Sequence, residues 1–190
     1  ARKAHPSIFT GKIISMVSPA IEGYAPSGIP FGSTSGQMYK TAPGILRRMY
    51  SIPYEIFEVS DYAAKYYSIM RIALGDDVHF LATANPSSVL KMCEKADEYA
   101  DAIIKDIHDG TLSREFIIED AVRKAVEPRL VADPARAKQL EHWREKRGGV
   151  LKPGDYWPEL ELIGCWKGGT VGHYLDKYPD WFDPDGDRPV

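Results

Sequence analysis

Cysteine is scarce in this chain: only Cys93 and Cys165 occur among 190 residues, on separate elements and each within an apolar pattern. That scarcity argues against a disulfide-stapled secreted fold. Two buried free thiols are expected instead, in a reducing compartment, so the expected location is cytoplasmic. No apolar run approaches the roughly 18 residues needed to span a bilayer, so no membrane helix is expected. A basic excess is missing too. Lys and Arg number 24 against 27 Asp and Glu, a net charge of −3, which argues against a nucleic-acid surface. The cations near the N-terminus have no apolar segment behind them, so "ARKAHPSIFTGK" is not a secretory signal. The chain has no internal repeat and no low-complexity segment. Its five histidines are scattered, none paired at the helical four-residue spacing of a zinc site. His79, inside an apolar run, reads as a packed core histidine. No Ser/His/Asp arrangement can be assembled, so no catalytic residue and no metal ligand is named from the residues alone.

What is present is ordinary globular material: 44% hydrophobic and 27% charged residues. The length suits one well-buried domain over residues 1–190. "KIISMVSPA" (12–20) is a nearly continuous apolar run, the pattern of a strand buried on both faces. A loop dense in Gly, Pro, Ser and Thr follows from Ile21 to about Lys40. "APGILRRMYSI" reads as a short helix and "PYEIFEV" (53–59) as a second strand. Ser60 is placed to cap a helix carrying Tyr62, Ala63, Tyr66, Met70 and Ala73, ending at Gly75. "DVHFLATA" (77–84) reads as a strand. Asn85 as N-cap and Pro86 as first helical residue then open one helix to Gly110, with Val89, Leu90, Cys93, Ala96, Ala100, Ile103, Ile104 and Ile107 on its apolar stripe. Residues 113–150 are charged and sparse in apolar positions, a peripheral helical insertion broken near Pro128 and Pro134. A last buried strand falls at about 160–166, turning sharply at Gly168 and Gly169 into a helix over "TVGHYLDKYPDWF". Strands alternate with helices, so the fold class is α/β with a mainly parallel sheet flanked by helices.

Ligand sites in open α/β sheets lie beyond the carboxyl ends of strands. Three segments fall there: the 21–40 loop, the "ATANPSS" turn and the "CWKGGT" turn. Within the first, "GSTSG" with Ser33, Thr34 and Ser35 has the small hydroxyl residues and glycines of an anion-wrapping loop. It fails as a P-loop because Gln37, not lysine, follows Gly36; the bland alternative is a surface turn whose hydroxyls bond their own backbone. In the third, Lys167 could neutralise an anion while Gly168 and Gly169 allow close backbone approach; the bland alternative is a flexible helix start with a solvated lysine. "DPDGD" (183–187) resembles the start of a calcium loop without its closing glutamate, and reads as an acidic turn.

Five segments in series, "GKIISMVSP", "SGIPFGSTSGQMYK", "VHFLATANPSSVLKM", "IHDGTLS" and "WPELELIGCWKGGTVGHYL", resemble the auxin-responsive Gretchen Hagen 3 family in order and spacing, especially its bacterial members. The resemblance runs from about residue 8 to 190. It implies part of the large domain of an adenylate-forming enzyme related to the firefly-luciferase-like group. Such enzymes are acyl acid-amido synthetases: they activate a carboxylic acid with ATP and Mg²⁺, then pass the acyl group to the amine of an amino acid. By resemblance, Thr83, Ala84, Asn85 and Ser88 line the acyl pocket, and Trp166, Lys167, Gly168, Gly169 and Thr170 form the turn between acyl group and adenine.

The resemblance also has departures. The family's ATP-phosphate loop belongs upstream of Ala1, its Tyr-Ser-Glu motif after Val190, and its smaller C-terminal domain is missing. The chain therefore reads as a central fragment, inactive alone and holding no tightly bound cofactor, with "GSTSG" an imitation of the absent phosphate loop. Plant members carry an arginine at the position of Gly32 and Val-Thr-Gly in place of Trp166-Lys167-Gly168, so the acid is not carried over. The alternative is a non-catalytic binding or scaffold protein that retains the fold.

Overall fold

The computed structural model describes residues 5–186. After a 3-10 turn over Pro6–Phe9, β1 (Lys12–Ser15) enters the core with Ile13 and Ile14 buried. A small antiparallel hairpin follows, β2 (Gly23–Tyr24) with β3 (Pro30–Phe31), and then the helices α1 (Thr34–Lys40), α2 (Gly44–Met49), α3 (Tyr54–Phe57) and α4 (Tyr62–Ala73). β4 (Val78–Ala82) leads into α5 (Pro86–Glu98) and α6 (Ala100–Asp109). The charged stretch holds α7 (Asp120–Val126), a 3-10 turn over Glu127–Arg129 and α8 (Pro134–Lys146). α9 (Pro153–Tyr156) precedes β5 (Leu162–Gly164); a 3-10 helix over Gly169–Lys177 and α10 (Tyr178–Phe182) close the described chain.

The main sheet has three parallel strands in the order β1-β4-β5, with Ile14 opposite Leu81 and Leu81 opposite Ile163. The three apolar runs expected as strands of one sheet are those strands. Around them α4, α5, α6 and α8 share one core, with Ile69, Met70, Val89, Ala96, Ile103 and Leu140 fully buried. Each large aliphatic side chain so buried contributes about 1.5–3 kcal/mol. Ile118, Val122, Val126, Ala137 and Leu140 carry the 113–150 segment into the same core, and the Arg136 guanidinium fixes it by donating to the Leu74 and Tyr156 carbonyls. Both cysteines are free thiols, but only Cys93 is buried; Cys165, expected buried, is half-buried because it lies at the exposed end of β5. His79 is buried, with its ring nitrogens against Ser7 O and Asp77 Oδ2. Among the described residues no helix is long and apolar enough to cross a membrane.

Four local expectations are corrected. Residues 53–59 are not a strand: Pro53 starts the helical turn α3, and Ile56, Phe57 and Val59 are all buried. A short apolar run does not by itself separate strand from helix. The cap of α4 is Asp61, whose carboxylate accepts the Ala64 N–H at 2.7 Å, while the Ser60 N–H donates to Glu119. The stripe of α4 also excludes Tyr62, which is 55% exposed, and includes Tyr67 and Ile69. Finally, the helix from Pro86 is interrupted at Tyr99, whose ring meets Phe116 edge-on at 5.0 Å. The apolar stripe runs through the interruption because α5 and α6 face one core, so periodicity gives no sign of it.

Candidate functional site

The carboxyl ends of β1, β4 and β5 share one edge of the sheet because the strands are parallel, and three connections leave from it. The connection after β4 is central. The Thr83 N–H donates to the Gly164 carbonyl at 2.9 Å, and the Trp166 N–H donates to the Ala84 carbonyl at 3.2 Å, so the turns after β4 and β5 are bonded side by side. Asn85 caps α5, its Oδ1 accepting from the Ser87 N–H at 3.0 Å and the Ser87 hydroxyl at 2.9 Å. Thr83 is half-buried and Ala84 and Asn85 are exposed, so this turn faces outward beside Trp166.

Trp166, Lys167, Gly168, Gly169 and Thr170 are all exposed, and Trp166 is 71% accessible. Gly169 sits at φ +69° with open space where a Cβ would project, a left-handed conformation that favours glycine. Gly168, by contrast, has ordinary extended backbone at φ −91° and ψ 164°. The Lys167 ammonium has no carboxylate partner among the described residues, so its charge is available at the edge. The Tyr178 hydroxyl, behind both turns, donates to the Pro86 carbonyl at 3.0 Å and lies against the Cys165 thiol. Burial pushes the Tyr178 phenol well above its ordinary pKa, so it remains a neutral donor.

Ser88 is placed differently from its neighbours. Its hydroxyl faces Tyr66 on α4, at the α4–α5 contact. Ser33, Thr34 and Ser35 lie at the same sheet edge on the β1 side, but they do not form an open loop. Ser33 is the N-cap of α1: its Oγ accepts the Gly36 N–H at 3.0 Å and meets Ser35 Oγ at 2.7 Å. Gly36 is buried, and a Cβ there would run into the Ser18 carbonyl. The glycine and hydroxyls of "GSTSG" thus serve the start of a helix packed on the chain leaving β1, which corrects its reading as a loop. "DPDGD" is likewise engaged as far as it is described, since Asp185 pairs with Arg147 at 2.6 Å; Asp187 lies outside the described residues. Among the described residues no group of three His, Cys, Asp or Glu could hold a metal ion.

Sequence reasoning found both turns but missed Tyr178, which joins them. Its signal was faint: one aromatic residue in a run of four, twelve positions beyond Trp166.

The family model described as GH3 family N-terminal domain matches residues 1–186. The solved structure titled "GH3.15 acyl acid amido synthetase" superposes with a TM-score of 0.76 at 18% identity, covering 95% of this chain and 31% of that one. A second, "AtGH3.15 acyl acid amido synthetase in complex with 2,4-DB", gives 0.73 at 18% identity, covering 97% and 32%. No curated protein matches. The chain spans about a third of the length of the structures it resembles.

Proposed function

Because the chain belongs to the GH3 family, through its N-terminal domain, we propose that it forms part of an ATP-dependent ligase that joins a carboxylic acid to an amino acid or related amine. The observation that carries this reading is the bonded pair of turns at the carboxyl edge of the sheet, Thr83 to Gly164 and Trp166 to Ala84. An acyl group bound there would lie along Thr83, Ala84 and Asn85. Gly168 and Gly169 let a ligand approach backbone, and the exposed Trp166 ring offers an apolar face. The unpaired Lys167 ammonium supplies positive charge that would favour a carboxylate, or the acyl-adenylate it becomes as diphosphate leaves ATP. The names of the two GH3.15 structures support the class of reaction, and the acid and the amine are left open.

ATP and Mg²⁺ belong to this proposal only through the longer protein. The Ser33 hydroxyl caps α1 and bonds that of Ser35, and among the described residues there is no cluster of carboxylates for a metal, so these residues do not fit a phosphate cradle or a metal site. No step is therefore assigned to this chain through the nucleotide. Its residues bind and orient the acid, and the chain alone would not turn over.

The test is exchange of labelled diphosphate into ATP by the longer protein, with a panel of carboxylic acids. Exchange that depends on added acid supports the ligase. A folded protein that exchanges with none of them favours a non-catalytic scaffold with the same fold.

A further inference from the structure

A second concavity lies at the opposite edge of the sheet. Lys12 opens β1 and Asp76 leads into β4, so both stand at the amino ends of strands, away from the two turns. Residues 47–55 run beside β1, held by the Ser51 N–H donating to the Ile13 carbonyl at 2.9 Å and by a parallel bridge from Tyr50 to Ile13. Between this segment, the end of α4 and residues 126–130 is a cleft of about 860 Å³. That is within the range of small-molecule sites, and its walls carry eight charged side chains among tyrosines and aliphatic residues.

The charges around it do not balance. Lys40 pairs with Glu58 at 3.9 Å and Arg129 with Glu55 at 3.4 Å, which neutralises those four. Lys12 spends its ammonium on the Arg48 carbonyl at 2.9 Å, a contact that leaves its charge uncompensated. Arg47 and Arg48 line the cleft and have no carboxylate partner among the described residues. Among the described lining residues only Asp76 stands against these three cations; it is half-buried, its carboxyl is raised chiefly by burial, and it also faces the Arg71 guanidinium behind it. Ser51 is only 7% exposed, and its hydroxyl sits beside Asp76 without a hydrogen bond of ordinary geometry. A buried hydroxyl left this way is costly unless a ligand or water satisfies it. Tyr50, also on the wall, is half-buried with its ring stacked on Tyr39 at 4.2 Å.

We propose that this cleft binds a small molecule bearing a phosphate monoester, held by Arg47, Arg48 and Lys12, with Ser51 as a further donor and the Tyr50 ring against the organic portion. A surplus of two positive charges matches a dianion better than a monocarboxylate, and guanidinium groups hold phosphate through paired N–H bonds. The site is separate from the turns of the proposed ligase and does not depend on that reading.

The experiment is calorimetric titration of the 190-residue chain with phenyl phosphate, inorganic phosphate and phenol at low salt. Phenyl phosphate should saturate one site, inorganic phosphate should bind more weakly, and phenol should not bind measurably. Arg47→Ala and Arg48→Ala should each weaken phenyl phosphate about tenfold, the scale of one lost charged hydrogen bond. Arg144→Ala removes the same charge on α8, where Arg144 pairs with Asp101, and should leave the affinity unchanged. Both cleft arginines are exposed on a short helix, so their variants should melt with the parent. Absence of saturable binding up to about 10 mM phenyl phosphate, weaker than any ordinary specific ligand, overturns the site. An equal loss in Arg144→Ala also overturns it, by reducing the attraction to diffuse charge. Equal affinity for phenyl phosphate and inorganic phosphate overturns the role of Tyr50.

Discussion

Replacing Asp106 with alanine should remove about 3–5 kcal/mol of stability, the scale of two lost hydrogen bonds to a buried carboxylate. Asp106 is 3% exposed on α6 and is the acceptor at the centre of a buried network. The Tyr67 hydroxyl donates to its Oδ2 at 2.6 Å, and the Thr111 hydroxyl donates to its Oδ1. Arg71, 4% exposed, lies in the same field; its Nε donates to the Thr111 carbonyl at 3.0 Å and its Nη2 has no partner among the described residues. Losing the carboxylate removes two charge-assisted hydrogen bonds, each about 1.5–3 kcal/mol, and leaves Asp76 as the remaining carboxylate acting on Arg71. Tyr67→Phe is milder, at about 1.5–3 kcal/mol, because it removes one such bond and the acceptor of the Ser113 N–H. The double variant should cost less than the sum, since the two changes share one bond. Urea unfolding followed by circular dichroism reads all three, with the denaturant slope unchanged if only the native contacts are lost. A loss below about 1 kcal/mol for Asp106→Ala, with the same slope, would refute the reasoning, because an exposed carboxylate behaves that way.

Tyr178→Phe should cost only about 0.5–1.5 kcal/mol for the lost bond to Pro86, yet alkylation of the half-buried Cys165 by iodoacetamide should speed up as the two turns loosen. Cys93, buried at 1% exposure, should stay unreactive, and an unchanged Cys165 rate would dismiss the clamp. Asp76 should lower stability as pH rises. Burial lifts its native pKa above the unfolded value of 3.8, so the unfolded chain ionises first and stability falls from that pH up to the native pKa, then levels off. Melting temperatures from about pH 3 to 7, spanning the ordinary carboxylate range, should show Asp76→Asn gaining on the parent as pH increases; a gap constant across that window would contradict the assignment.

The sheet was legible because each strand is a short apolar run bounded by turn residues, and because β–α alternation implies parallel pairing. Once the strands are parallel, the turns at Thr83–Ser88 and Trp166–Thr170 must share an edge, although about 80 residues separate them in sequence. The start of α5 at Asn85-Pro86 and its partner's end at Gly110 (φ +72°) were equally plain, since capping is local chemistry. What escaped depends on tertiary context. "GSTSG" has the composition of both an anion loop and a capped helix start, and only the Ser18 carbonyl packed against Gly36 separates them. The 53–59 run buries consecutive side chains as a helical turn, which its apolar content does not distinguish from a strand. The second cleft draws Lys12, Arg47, Ser51 and Asp76 from separate elements, so no local spacing marks it.

The central claim is that the turns after β4 and β5 form the acid-binding side of a ligase site. Gly168→Val tests it most directly. Its backbone at φ −91° and ψ 164° accepts a β-branched residue, and the nearest atom to a new Cβ is Trp166 Nε1 at 3.8 Å. Fold stability should therefore be unchanged while the added bulk obstructs the turn. In the longer protein, acid-dependent diphosphate exchange should drop by at least about tenfold, equivalent to some 1.4 kcal/mol of transition-state binding. A variant that melts with the parent and exchanges at the parental rate would contradict the account.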